Sequence, residues 1–196
     1  MVLDIKLPDP NPYKIKVTNI VIEINFGGKI PLDRIANMLP SAEYEPESFP
    51  GLVYRMTDPK ATALVFTSGR AILSGINDIE KAKKAVKRML EDFGSIGIKF
   101  EKEPEIKIVN LVASADLGVH LDLNTLVYEL ENCEYEPEQF PGLVYRMDDP
   151  PVVVLIFNTG RVNITGSRDI SVVARAAENL RKKVEEIGAV LKKKED

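Results

Sequence analysis

Residues 43–56 read EYEPESFPGLVYRM and residues 134–147 read EYEPEQFPGLVYRM, identical at 13 of 14 positions and offset by 91 residues. The same offset, kept without a gap, lays Asn19-Ile20-Val21 on Asn110-Leu111-Val112, Leu64-Val65-Phe66 on Leu155-Ile156-Phe157, and Ser68-Gly69-Arg70 on Thr159-Gly160-Arg161. The chain after Lys14 is therefore a tandem duplication. Two units of about 90 residues are too few and too long for a solenoid. The expected organisation is a short lead over residues 1–13, a first repeat over 14–104 and a second over 105–196, joined as one pseudo-twofold body.

Within each copy the hydrophobic period changes in the same order. Ile20, Ile22 and Ile24 alternate as in a half-buried strand, which the Gly27-Gly28 pair breaks. Leu32, Ile35, Ala36 and Leu39, matched by Leu123, Leu126, Val127 and Leu130, form the apolar stripe of a short helix. Strands follow near Leu52 to Met56, Ala61 to Thr67 and Arg70 to Ser74, the last two joined by a tight turn at Ser68-Gly69. A long helix closes the copy, with Ile79, Ala82, Val86, Met89 and Phe93 as its core stripe, Asp78 as N-cap and Gly94 as C-terminal stop. In the second copy the corresponding ends are Asp169 and Gly188.

The class is α+β, and two helices per copy suffice to cover one face of a sheet. The other face should then be solvated and polar. Leu64 and Phe66 nevertheless lie opposite in parity to Val65, so both sides of that strand are apolar. Phe49 and Phe140 stand beside Pro-Gly, which places each ring near a turn. An exposed apolar face marks a binding surface. The alternative from periodicity alone is that the two copies bury these faces against each other.

A net charge of −4 and a pI near 5.3 argue against affinity built by coating phosphates with lysine. No apolar run reaches the roughly 18–20 residues of a membrane span, and the first residues lack a signal-peptide pattern, so the expected location is cytoplasmic. The single cysteine, Cys133, reads as a free thiol. The single histidine, His120, falls in a strand-to-helix connection with no counterpart in the first copy. No nucleophile motif, phosphate loop, cofactor motif or metal spacing accompanies them, which argues against an enzyme.

The duplicated E-Y-x-P-E-x-F-P-G-x-x-Y-R-M, followed by L-x-F-x-x-G-[KR]-x-x-x-[ST]-G, resembles the core of the TATA-box-binding protein family, archaeal type, over nearly the whole chain. The resemblance implies a saddle-shaped curved antiparallel sheet with helices on its convex face. It also implies a general transcription initiation factor that binds the TATA box in the minor groove, bends promoter DNA by phenylalanine insertion, and recruits transcription factor B and, indirectly, RNA polymerase. The strong kink is a known property of that family, not a deduction from these residues. An apolar, wedge-inserting face would reconcile DNA binding with an acidic chain.

Carried over position by position, Phe49 with Phe66 and Phe140 with Phe157 would be the wedge pairs. Asn19 and Asn110 would donate to groove acceptors, while Val21, Val112, Leu64 and Leu155 would pack on the groove floor. Arg55, Arg70, Arg146 and Arg161 would meet phosphates, with Ser68, Ser74, Thr159 and Thr165 adding hydroxyl contacts. Ile72 and Asn163 occupy one matched position on this face. The resemblance further maps docking of transcription factor B to Glu134, Glu136, Glu138 and Gln139, in a loop crowded with like charge. A basic run on the long helix of the first copy, from Lys81 to Arg88, is a candidate second docking surface. Two positions depart from the family pattern: Asn163, where an aliphatic residue is favoured, and Glu23, which places a carboxylate on the expected DNA face opposite Ser114 of the second copy. The remaining alternative is a protein-binding scaffold domain without DNA specificity of its own.

Overall fold

The computed structural model describes residues 4–194, which divide into two compact units. One comprises residue 4 together with 19–109, and the other residues 5–18 together with 110–194. In the first, β1 (Lys16–Asn25), which belongs to it from Asn19 on, is followed by α1 (Leu32–Met38), β2 (Ala42–Glu43), β3 (Leu52–Thr57), β4 (Lys60–Val65), β5 (Arg70–Ile76) and α2 (Ile79–Ser95). Its strands lie in the antiparallel order β2-β3-β4-β5-β1. The second repeats the plan with β6 (Glu105–Asp116), β7 (Val119–Leu121), α3 (Leu123–Glu129), β8 (Cys133–Glu134), β9 (Leu143–Met147), β10 (Val152–Ile156), β11 (Arg161–Ser167), α4 (Ile170–Ile187) and β12 (Val190–Lys193). Here the order is β6-β11-β10-β9-β8, again antiparallel.

Strict alternation of burial shows which face each unit closes. Ile20, Ile22, Ile24, Leu52, Tyr54, Ala63, Val65, Ala71 and Leu73 are all 1% exposed or less; Val86, Met89 and Phe93 of α2 are buried too, with Phe93 edge to face against Tyr54. The residues between them in sequence are half-buried or exposed, so the helices cover one face only. The side chain of Asp78 accepts hydrogen bonds from the amides of Glu80 and Lys81, and that of Asp169 from Ser171, so both long helices start at the expected caps. The first ends later than expected: Gly94 is helical, and the reversal falls at Gly97, whose φ of +81° lets its amide reach Gly94 and that of Ile98 reach Phe93. Gly97 does this work because its backbone is left-handed, which no hydrophobic period reveals. Gly188, at φ +77°, closes α4 as expected.

Tyr54, from the duplicated motif, crosses the core of the first unit to donate its hydroxyl proton to Asp92 on α2. Burial, then this carboxylate, pushes the phenol up to about 12. Carboxylates flank most of the helix's basic run: Lys83 pairs with Glu80, Lys84 with Asp58 from the β3–β4 turn, Lys87 with Glu91 and Arg88 with Asp92. In the second unit, β7 and β12 form a separate two-stranded ribbon in which His120 faces Lys192, so this histidine sits in a strand and not in a connection. No helix among the described residues is long and apolar enough to cross a membrane.

Candidate nucleic-acid interface

The helix-free face of the first unit is a set of cross-strand rows. Val53, Leu64, Ile72 and Glu23 stand side by side on β3, β4, β5 and β1, and Arg55, Thr62 and Ser74 form the next row. In the second unit Val144, Leu155, Asn163 and Ser114 occupy the first row, and Arg146, Val153, Thr165 and Val112 the second. The apolar members and Val21 keep intermediate exposure. Branched aliphatic side chains thus form an uncovered patch, with arginine at its edge. Val53, Thr62, Val144 and Val153 belong to this surface but were missed in the sequence. Their signal was present, since Val53 and Val144 share parity with Arg55 and Arg146 inside the quoted motif.

At one end of each patch two phenylalanines meet edge to face, Phe49 with Phe66 at 6.0 Å between centroids and Phe140 with Phe157 at 5.9 Å. The exposed members are Phe49 and Phe140, at 39% and 40%. The turn before each ring is built by the preceding proline. The Ser48 and Phe49 amides reach the carbonyl of Glu45 across Pro46, and those of Gln139 and Phe140 reach Glu136 across Pro137. The Pro-Gly after the ring has a different task. A Cβ on Gly51 would lie 2.6 Å from Phe49 and 2.9 Å from Phe66, and one on Gly142 would lie 2.6 Å from Phe140 and 3.0 Å from Phe157. Both rings close over a glycine because nothing larger fits beneath them.

Phe66 and Phe157 end β-hairpin arms. The Gly69 amide donates to Phe66 and the Phe66 amide to Arg70, closing a three-residue loop with Gly69 at φ +87°; Gly160 repeats this at φ +74°. β4 therefore ends at Val65, short of the expected Thr67, and Ser68 and Thr159 are exposed at the loop tips.

Asn19 and Asn110 are held by a bulge. Between Leu73↔Ile22 and Ile76↔Ile20, β5 carries one residue more than β1, and β11 does likewise against β6 between Thr165 and Ser167. The extra residues, Gly75 and Gly166, have φ of +88° and +102°. Each turns its amide onto the neighbouring asparagine, at 2.9 Å to Oδ1 in both units. This fixes the amide orientation and leaves the Nδ2 group as the free donor of Asn19; that of Asn110 also contacts Thr165 Oγ1 at 3.0 Å.

The charged edge is mostly self-paired. Arg55 meets Glu43 at 3.3 Å, Arg146 meets Glu134 at 3.4 Å, and Arg70 meets Glu23 at 2.9 Å. The Arg55 and Arg146 pairs, exposed on both sides, are worth little and exchange readily for a stronger anion. Glu23 therefore sits on the open face as expected, but engaged with an arginine. Glu136, Glu138 and Gln139 are brought together, exposed, in the turn before Phe140, whereas Glu134 is tied to Arg146 on β9. Cys133 donates to the Leu130 carbonyl, and burial pushes its thiol up.

A duplicated α+β unit that presents an uncovered apolar sheet face, tipped by aromatic pairs, defines a class of binding proteins. Residues 14–95 and 105–187 match the family described as transcription factor TFIID, or TATA-binding protein. A TATA-box-binding protein of Archaeoglobus fulgidus is 47% identical over 178 residues, covering 90% of this chain and 97% of that protein. One of Pyrococcus abyssi is 35% identical, covering 96% and 98%. The solved structure of Methanococcus jannaschii TBP superposes with a TM-score of 0.82 at 45% identity, covering 88% of this chain and 98% of that one. The chain belongs to the TATA-box-binding protein family, and the fold expected from the motif is the fold observed.

Gly142→Ala is expected to force Phe140 and Phe157 apart and to destabilise the second unit by about 1–3 kcal/mol, the range for overpacking a tight site. Urea unfolding followed by circular dichroism measures this; an unchanged midpoint would show that the rings do not depend on the glycine.

Proposed function

We propose that this protein is a general transcription initiation factor that binds the TATA box through the minor groove and bends the promoter. The observation that carries this reading is the uncovered aliphatic face with its phenylalanine pairs. A face of this composition fits a widened minor groove, where sugar and base edges present apolar area, and its rings supply wedges between base steps. With a net charge of −4, little of the affinity can come from general phosphate coating. Phe49 with Phe66 and Phe140 with Phe157 are the wedges; Val21, Leu64, Ile72, Val112 and Leu155 pack on the groove floor. Asn19 and Asn110, oriented by the bulge amides, donate Nδ2 protons to adenine N3 and thymine O2. A guanine amino group would oppose that donor, which favours A·T pairs. Arg55, Arg70, Arg146 and Arg161 meet phosphates, aided by the hydroxyls of Ser68, Ser74, Thr159 and Thr165.

The acidic turn around Glu136, Glu138 and Gln139, with Glu134 beside it, docks transcription factor B, through which RNA polymerase is recruited. The protein acts in the cytoplasm at the nucleoid and performs no catalysis. A mobility-shift titration tests the function: an A·T-rich duplex should be retarded, and the same duplex with G·C pairs at its centre should not. Equal retardation of both would sink the reading.

A protein of two nearly matched repeats on a nearly twofold site can bind in two orientations, so the units must differ on the DNA face. Asn163 against Ile72 is the difference of greatest consequence, because an amide can bond groove acceptors or a guanine amino group while an isoleucine only packs. One such contact supplies ~1 kcal/mol, a several-fold bias. Asn163→Val is expected to reduce the orientational preference, read by directional cleavage from a probe tethered to one end of the protein. A bias as strong as in wild type would refute the role of Asn163.

A further inference from the structure

The matched arginines of the two units, Arg70 and Arg161, meet different fates. Each has a carboxylate within reach on the neighbouring strand, but at different positions. In the first unit it is Glu23, which holds Arg70, while the residue directly across from Arg70 is the neutral Asn25. In the second unit Ser114 replaces Glu23, and the residue across from Arg161 is Asp116, the counterpart of Asn25. The two keep one local geometry: Asn25 Oδ1 accepts from the Gly27 amide and Asp116 Oδ1 from the Gly118 amide. Asp116 would be expected to capture Arg161 as Glu23 captures Arg70. Instead it is engaged by Lys194, whose Nζ lies 2.6 and 2.7 Å from its two carboxylate oxygens and whose amide donates to the Gly118 carbonyl.

Arg161 consequently has no ion pair among the described residues. It lines an open cleft of about 630 Å³ with Lys14, Lys16, Thr159, Asn163, Phe157 and the Lys194-bound Asp116. Lys14 and Lys16 are exposed and likewise unpaired among the described residues. Their position is set by a specific turn: Lys14 adopts φ +49°, its amide reaches the Asn11 carbonyl, and the Asn11 side chain clamps both the amide and the carbonyl of Ile15. A non-glycine residue in this backbone region is uncommon and is kept where the surroundings impose it.

We infer that Lys14, Lys16 and Arg161 form a phosphate clamp for duplex DNA beside Phe157, and that Lys194 keeps the clamp open by occupying Asp116. The inference rests on the proposed minor-groove reading of the face. Lys194 is a positioning residue, because it acts through Asp116 and not on the DNA. Three cations in a cleft that abuts the wedge ring complement the charge of a backbone passing that ring. The first unit has no such set, since Arg70 reaches a phosphate only by leaving Glu23 and the residues matching Lys14 and Lys16 are Glu105 and Lys107. The grip on DNA is therefore unequal between the units.

The test is fluorescence-anisotropy titration of a labelled A·T-rich duplex over a range of salt. Lys14→Ala with Lys16→Ala should weaken binding several-fold and lower the slope of log affinity against log salt by about 1–2, one phosphate contact per lysine. Lys194→Ala should weaken binding about five-fold, as Asp116 turns to Arg161, and adding Asp116→Asn should restore it; the asparagine still accepts from Gly118, so a purely structural role for the tail would not be rescued. If Lys194→Ala binds as wild type does, or if Asp116→Asn fails to restore it while circular dichroism shows a folded protein, the clamp is overturned. If wild type itself ignores the duplex, the minor-groove reading falls first and the clamp with it.

Discussion

Phe157→Ala is expected to lower affinity for an A·T-rich duplex and to reduce its bending together, by roughly 2–4 kcal/mol if the loss resembles removal of a buried aromatic. The ring follows β10 directly, stands edge to face with Phe140, and shares with it the glycine floor at Gly142. Removing it takes away an apolar contact and also the support that holds Phe140 in place. The loss should therefore exceed that of an isolated ring, and Phe140→Ala in the same background should add less than it does alone. End-labelled duplex in a fluorescence energy-transfer assay reads bending directly. Unchanged bending at saturation would rule out the wedge role.

Glu136→Arg combined with Glu138→Arg is expected to abolish recruitment of transcription factor B while leaving the binary DNA complex intact. Both side chains are exposed in the turn that precedes Phe140, and neither has an ion-pair partner among the described residues. Reversing them inverts the field that a basic partner meets, and removing acidic charge does not oppose DNA. Glu134 is left out of the substitution because it holds Arg146, so changing it would disturb the DNA edge as well. A ternary complex formed at wild-type protein concentrations would show the acidic turn to be unconnected with docking.

Most of the architecture was legible because the duplication doubles every signal. Alternation at Ile20, Ile22 and Ile24 located the first strand, and Asp78 and Asp169 located the starts of both long helices. The pairing of Phe49 with Phe66 came from the family resemblance, and in the structure the two rings stand edge to face. What stayed hidden depends on backbone conformation or on contacts distant in sequence. Gly97 ends α2 through a left-handed residue, while Gly94, a better match to the expected stop, stays helical. Gly75 and Gly166 each form a bulge that orients an asparagine, and an isolated glycine in a strand pattern signals a bulge without saying which side chain it serves. Gly51 and Gly142 were visible as part of F-P-G, yet their role beneath two rings needs Phe66 and Phe157 in place. The Lys194–Asp116 pair spans 78 residues, and no local pattern announces it.

The central claim, that the uncovered sheet face reads A·T pairs from the minor groove, is tested most directly by replacing the T·A pairs of a bound duplex with C·inosine pairs. Such pairs present the major-groove groups of C·G, but inosine lacks the guanine amino group and leaves the minor groove like that of A·T. Binding and bending by this protein should survive that replacement and fail when guanine takes the place of inosine. Loss of binding to the inosine duplex, at protein concentrations that saturate the A·T duplex, would contradict the account.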